Sequence, residues 1–126
     1  MKIVTVSLTT LYVVLITVVL LLRMPNDIGL KPIEHIDKIV HFIIYLGLNV
    51  LLLTTLETLS CGSKRLSYIV ATLLSVIYGI CIELLQPFTG RGYEFSDIIA
   101  NTVGAFTGLL LYITIPQLFA KTKKRG

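Results

Sequence analysis

Residues 3–22 make one unbroken run of twenty residues without a charge. A helix needs about 20 mostly apolar residues to cross the ~30 Å hydrocarbon core of a bilayer, so this run matches a membrane span. A signal peptide has a shorter core of about 7–15 residues followed by a small-residue cleavage site, so the run is expected to be retained. Three more runs follow, at 39–56, 66–85 and 98–115. They are interrupted by a few polar side chains such as His41, Asn49 and Glu83. Runs of this length without turn residues favour helices over strands, and in lipid a helix satisfies its own backbone hydrogen bonds.

The expected fold is therefore all-α: one domain over residues 1–126, a four-helix transmembrane bundle with helices at about 3–22, 38–58, 66–86 and 97–115. Composition agrees. Apolar residues make up 55% of the chain and charged residues 14%. Soluble domains carry about 25% charged residues. The mean hydropathy is +0.87. Four spans leave no room for a soluble domain. Pro116 is expected to stop the last helix.

The net charge of +4 would suggest nucleic acid in a soluble protein, but here the basic residues gather in loops and at the C-terminal tail. With four crossings, Lys2, Lys64, Arg65, Lys121, Lys123, Lys124 and Arg125 share one side. Arg23, Lys31, Lys38 and Arg91 lie on the other. The side richer in Lys and Arg is expected to be cytoplasmic, which places both termini inside, and no nucleic-acid partner is expected. Cys61 and Cys81 form no CxxC pair and fall in a loop and an apolar run, so no disulfide is expected.

The polar residues inside or beside the spans are grouped. Asp37 and His41 are four apart at the start of helix 2 and share a face. Glu83 and Gln86 do so at the end of helix 3, Asp97 and Asn101 at the start of helix 4, and Arg91 lies in the loop between. Each has an ordinary structural reading: the two aspartates as helix caps, Asn101 as interhelical glue, Arg91 as a solvated loop charge, His41 as a satisfied interface group. Glu83 resists such a reading, because a carboxylate inside an apolar run costs a few kcal/mol unless paired, neutral or hydrated. Topology is expected to bring all seven to the outer face. On helix 4, Gly104 and Gly108 continue the stripe of Asp97 and Asn101 as a GxxxG pair, a pattern that lets two helix backbones approach closely.

The segments 37–42 (D-K-x-x-H-F), 83–86 (E-x-x-Q) and 97–104 (D-x-x-x-N-x-x-G), with Arg91 between the last two, resemble the VanZ-like family over about residues 35–115. The resemblance implies a four-helix multi-pass fold in the bacterial cytoplasmic (inner) membrane and a role in the cell envelope. The member that names the family is associated with low-level resistance to the glycopeptide teicoplanin.

Three functions fit these residues. In the first, the cluster binds or modulates an envelope lipid or lipid-linked cell-wall precursor, with Arg91 suited to bidentate contact with phosphate. In the second, the chain is a membrane-embedded hydrolase or transferase acting on a lipid-linked phosphate, since Asp37, His41, Glu83 and Asp97 are general acid–base or hard-metal ligand types. In the third, it is an assembly scaffold whose polar cluster locks the bundle. Binding ranks first, because the sequence shows no nucleophile motif and no strong metal-ligand spacing. No metal or other cofactor is expected.

Overall fold

The computed structural model describes residues 1–22, 35–59, 62–90 and 92–125, with side-chain surroundings up to residue 117. Four helices account for nearly all of them: α1 (Lys2–Leu21), α2 (Ile36–Leu59), α3 (Lys64–Leu85) and α4 (Phe95–Arg125). Each contains a stretch long and apolar enough to cross a membrane. Helix α1 has 20 residues. At about 1.5 Å rise per residue it is about 30 Å long, the thickness of the hydrocarbon core. An even number of crossings returns the chain to the side on which α1 began.

Local signals set the boundaries of α3. Ser63 is its N-cap in extended conformation, and its hydroxyl accepts the Leu66 N–H at 3.2 Å. The helix tightens into a 3-10 turn (Gln86–Thr89) that carries Pro87. It stops at Gly90, whose φ of 83° is a left-handed conformation that suits glycine.

The last helix departs from expectation, since α4 continues through Pro116 to Arg125. Proline removes the backbone hydrogen bond to the residue four positions earlier, yet neighbouring groups can accommodate that loss within a membrane helix. The span itself is Phe95–Gln117.

Helix α2 is the hub of the bundle, touching all three others and lying most extensively along α4. Two glycines permit that approach. A Cβ on Gly104 would collide with the Phe42 carbonyl oxygen, and one on Gly108 would stand 2.7 Å from that of Leu46. Helix α1 docks through Tyr12, whose hydroxyl donates to the Ile44 carbonyl at 2.9 Å over the space left by Gly47. The hydroxyls of Thr9 and Thr55 meet at 2.8 Å, and those of Thr17 and Tyr78 at 2.6 Å. Lipid tails are as apolar as leucine, so such close packing and interhelical hydrogen bonds, rather than exclusion of water, hold membrane helices together. Ile16, Leu20, Tyr45, Leu48 and Ile82 form the apolar core. Leu11, Leu15, Ile43, Leu73 and Phe106 point outward, as lipid-facing side chains do.

Candidate functional site

A polar stripe runs down the inner face of each of three helices. On α2, Asp37, His41, Tyr45 and Asn49 step by four. On α3, Ser75, Gly79 and Glu83 do the same, and on α4 Asp97 and Asn101 precede the glycines. Where the stripes meet, polar side chains are removed from solvent and lipid alike: His41, Asn49, Ser75 and Glu83 are fully buried, and Asn101 and Asp97 nearly so.

The stripes form two layers with different character. In the deeper one Asn49 is well satisfied. Its amide donates to the Ala105 carbonyl at 2.6 Å and to Thr72 Oγ1 at 3.3 Å, and its Oδ1 accepts from Ser75 Oγ at 3.3 Å. This layer joins α2, α3 and α4 and leaves nothing over for a ligand.

The upper layer, near the starts of α2 and α4 and the end of α3, is incompletely paired. His41 Nδ1 lies 2.8 Å from Asn101 Oδ1. Since a carbonyl oxygen only accepts, Nδ1 carries the proton that joins them. His41 Nε2 faces Asp97 Oδ2 at 3.7 Å, beyond hydrogen-bond range. Glu83 Oε1 accepts the backbone N–H of Glu94 at 2.7 Å, which fastens the chain entering α4 to the end of α3. Gly79 makes room for the layer, because a Cβ there would stand 3.0 Å from Tyr45 Cε1 and 3.2 Å from Asn101 Nδ2. Among the described residues, His41 Nε2, Tyr45 Oη, Glu83 Oε2, Asp97 Oδ1 and Asn101 Nδ2 have no hydrogen-bond partner although all are buried. Buried polar atoms are normally paired, so five unpaired atoms in one layer demand a reason.

Over the cluster, Lys38 forms a partly exposed rim, its ammonium 3.0 Å from Glu94 Oε2 and 4.0 Å from Asp97 Oδ1. The hydrogen bond from Lys38, and then its charge, hold the Glu94 carboxyl below its ordinary range.

Of the residues named from sequence, Asp37, His41, Asp97 and Asn101 come together across α2 and α4, and Glu83 reaches the same layer from α3 through Glu94. Asp37 is exposed at the rim while His41 and Asp97 are buried. Gln86 is used elsewhere: its amide donates to the Leu20 carbonyl at 3.1 Å, which ties the end of α3 to the end of α1. Arg91 and Cys61 lie outside the described residues. The spacing rule that set a metal aside reads ligands along one segment. Here three ligand atoms of Asp37, His41 and Asp97, drawn from two helices, lie within 4.8 Å of one another. Sequence reasoning also missed Tyr45 and Gly79, though each continues a four-residue step from His41 or Glu83. It used Lys38 as an orientation charge and as part of the D-K-x-x-H-F element, and gave neither Lys38 nor Glu94 a place in the site.

Four bilayer-length helices closed around buried ionisable side chains define a multi-pass membrane protein. The VanZ/LLP1 family model matches residues 4–119, nearly the whole chain, and the chain belongs to that family. No curated protein matches it, and no solved structure does.

Proposed function

We propose that this chain acts in the bacterial cell envelope by binding or modulating an envelope lipid or a lipid-linked cell-wall precursor through the upper polar layer, which faces outward. The observation that carries this reading is the convergence of His41, Glu83 and Asp97, buried ionisable groups from three helices, each with a side-chain atom left without a hydrogen-bond partner among the described residues. Ionisable residues inside a membrane are rare and expensive, and they typically mark substrate or ion sites. Two further features support a lipid-borne ligand. Phe88, Tyr93 and Phe95 are exposed around the same end, where aromatic side chains favour the headgroup region. The Lys and Arg asymmetry supports an outward orientation of that end. A contribution to teicoplanin tolerance belongs to the same proposal.

Glu83→Gln separates a ligand site from structural glue. The amide oxygen still accepts the Glu94 N–H, so the bond that fastens the loop survives while the carboxylate charge is lost. The protein is expected to fold, as judged by size-exclusion in mild detergent. It is also expected to lose binding of a polyprenyl phosphate in native mass spectrometry, and to fail in a deletion strain under cell-wall stress. Full binding and full complementation by a stable Glu83→Gln protein would overturn the proposal. Unfolding of that variant would instead assign Glu83 to the structure.

A further inference from the structure

We propose that Asp37, His41 and Asp97 form a binding site for a divalent first-row transition-metal ion of the Zn2+ or Mn2+ kind. The proposal shares its residues with the ligand reading above and rests on it only to that extent, because metal is measured here without lipid. The first ground is the donor set. One ligand atom from each of the three residues lies within 4.8 Å of the others. Imidazole with carboxylates suits these ions. The edge of a tetrahedral zinc site is about 3.3 Å for bonds of ~2.0–2.1 Å. The 3.7 Å between His41 Nε2 and Asp97 Oδ2 is already close to that edge. Asp37 supplies its ligand atom from an exposed position at the rim.

The second ground is independent of spacing. His41 is fully buried and Asn101 Oδ1 takes its Nδ1 proton, so in the neutral form of the ring Nε2 turns a bare lone pair toward the Asp97 carboxylate. Two acceptors facing each other in a buried place repel unless a cation stands between them. A hydrogen bond that fixes the tautomer and aims the other nitrogen is the usual support of a metal-bound histidine. Asn101 is therefore a positioning residue. The third ground is charge. Among the described residues, Asp37, Glu83, Glu94 and Asp97 stand around this layer, with the ammonium of Lys38 as the fixed positive group beside them. A proton on His41 would add one charge, whereas a divalent ion adds two and ligates Nε2 and Asp97 together. Three protein ligands leave coordination positions open for water or for an oxygen of a bound headgroup.

Full-length protein purified in detergent, stripped with a chelator and dialysed against Zn2+ or Mn2+, is expected to retain one ion per chain by elemental analysis and to show the same stoichiometry by calorimetry. Asp37→Asn, at an exposed position, is expected to fold normally and to weaken binding sharply. His41→Ala is expected to abolish it. Asn101→Ala, which releases the ring, is expected to weaken it by roughly 10–100-fold. If the wild type retains neither ion in stoichiometric amount, the proposal fails. It fails equally if folded Asp37→Asn binds as the wild type does, which would place the ion elsewhere. Absence of polyprenyl phosphate binding by the wild type, with metal binding intact, would refute the lipid reading and leave this one standing.

Discussion

Alanine at Gly104 or Gly108 tests whether α4 seats directly on the backbone of α2. A Cβ at Gly108 would stand 2.7 Å from the Leu46 carbonyl oxygen where ordinary contact begins at 3.4 Å, so the helices must part there by about 0.7 Å. At Gly104 the obstacle is the Phe42 carbonyl, and it lies closer. Both obstacles are backbone, so no rotamer change relieves them. An opening of that size stretches the 2.6 Å bond from Asn49 to the Ala105 carbonyl to the edge of the ~2.7–3.2 Å range and loosens the His41–Asn101 contact above it. Overpacking by a methyl group costs about 1–3 kcal/mol, and an interhelical hydrogen bond in a membrane contributes about 0.6 kcal/mol. Alanine is favoured over glycine in a helix by about 1 kcal/mol, which offsets part of this. The net expectation is a loss of about 1–2 kcal/mol for each variant. At about 4 °C per kcal/mol for a chain of this size, the midpoint falls by about 4–8 °C. Thermal size-exclusion in mild detergent measures it, with Gly92→Ala as a control, since a Cβ there meets nothing within 4 Å. Gly104→Leu is expected to yield no folded protein. Midpoints for both alanine variants at or above the wild-type value would refute the close packing of α2 on α4.

Asn49→Leu removes the centre of the deeper layer and its hydrogen bonds to Thr72, Ser75 and Ala105. At about 0.6 kcal/mol for each interhelical bond, it is expected to lower stability by about 2 kcal/mol. An Asn49→Leu protein that melts higher than wild type would show that this layer does not stabilise the bundle. For topology, a cysteine at Gly92 in a cysteine-free background is expected to react with an impermeant thiol reagent on intact cells, and one at Ser63 is not; the reverse labelling would invert the bundle. Lys38→Gln is expected to raise the Glu94 carboxyl toward its ordinary 4.5. Because the folded-state value is lowered, Glu94 stabilises the protein above 4.5, and that contribution is lost as pH falls through the lowered value. The variant should lack this acid-side dependence, and an unchanged Glu94 titration by NMR would dissociate Lys38 from it.

The four helices were legible because lipid imposes a length and an apolarity that few other environments require, and each run declared both. Helix faces were legible as far as a four-residue step carries, which is why His41, Asp97 and Asn101 could be named from two short segments. Two kinds of information were hidden. Rotation of one helix against another decides which stripe continues inward, so Tyr45 and Gly79 passed as ordinary apolar-run residues. Competition between partners decides how a polar group is used, so Gln86, on the same face as Glu83, could not be foreseen to end at the Leu20 carbonyl of α1. The continuation of α4 past Pro116 was hidden for a related reason, since a proline that ends a helix in water need not end one among neighbouring helices.

The central place of α2 has a consequence for biosynthesis. This helix leaves the ribosome well before α4, yet His41 and Asn49 find their partners there, at Asn101 and Ala105, 60 and 56 residues further along the chain. Until α4 enters the bilayer, α2 carries an imidazole and an amide into lipid without those partners, and the groove that receives Gly104 and Gly108 stands open. Docking of α4 is therefore a late event. A nascent chain halted before Phe95 holds the apolar core of α1, α2 and α3 but leaves the groove for α4 uncovered, a state that membrane quality-control proteases can recognise by its exposed polar stripe.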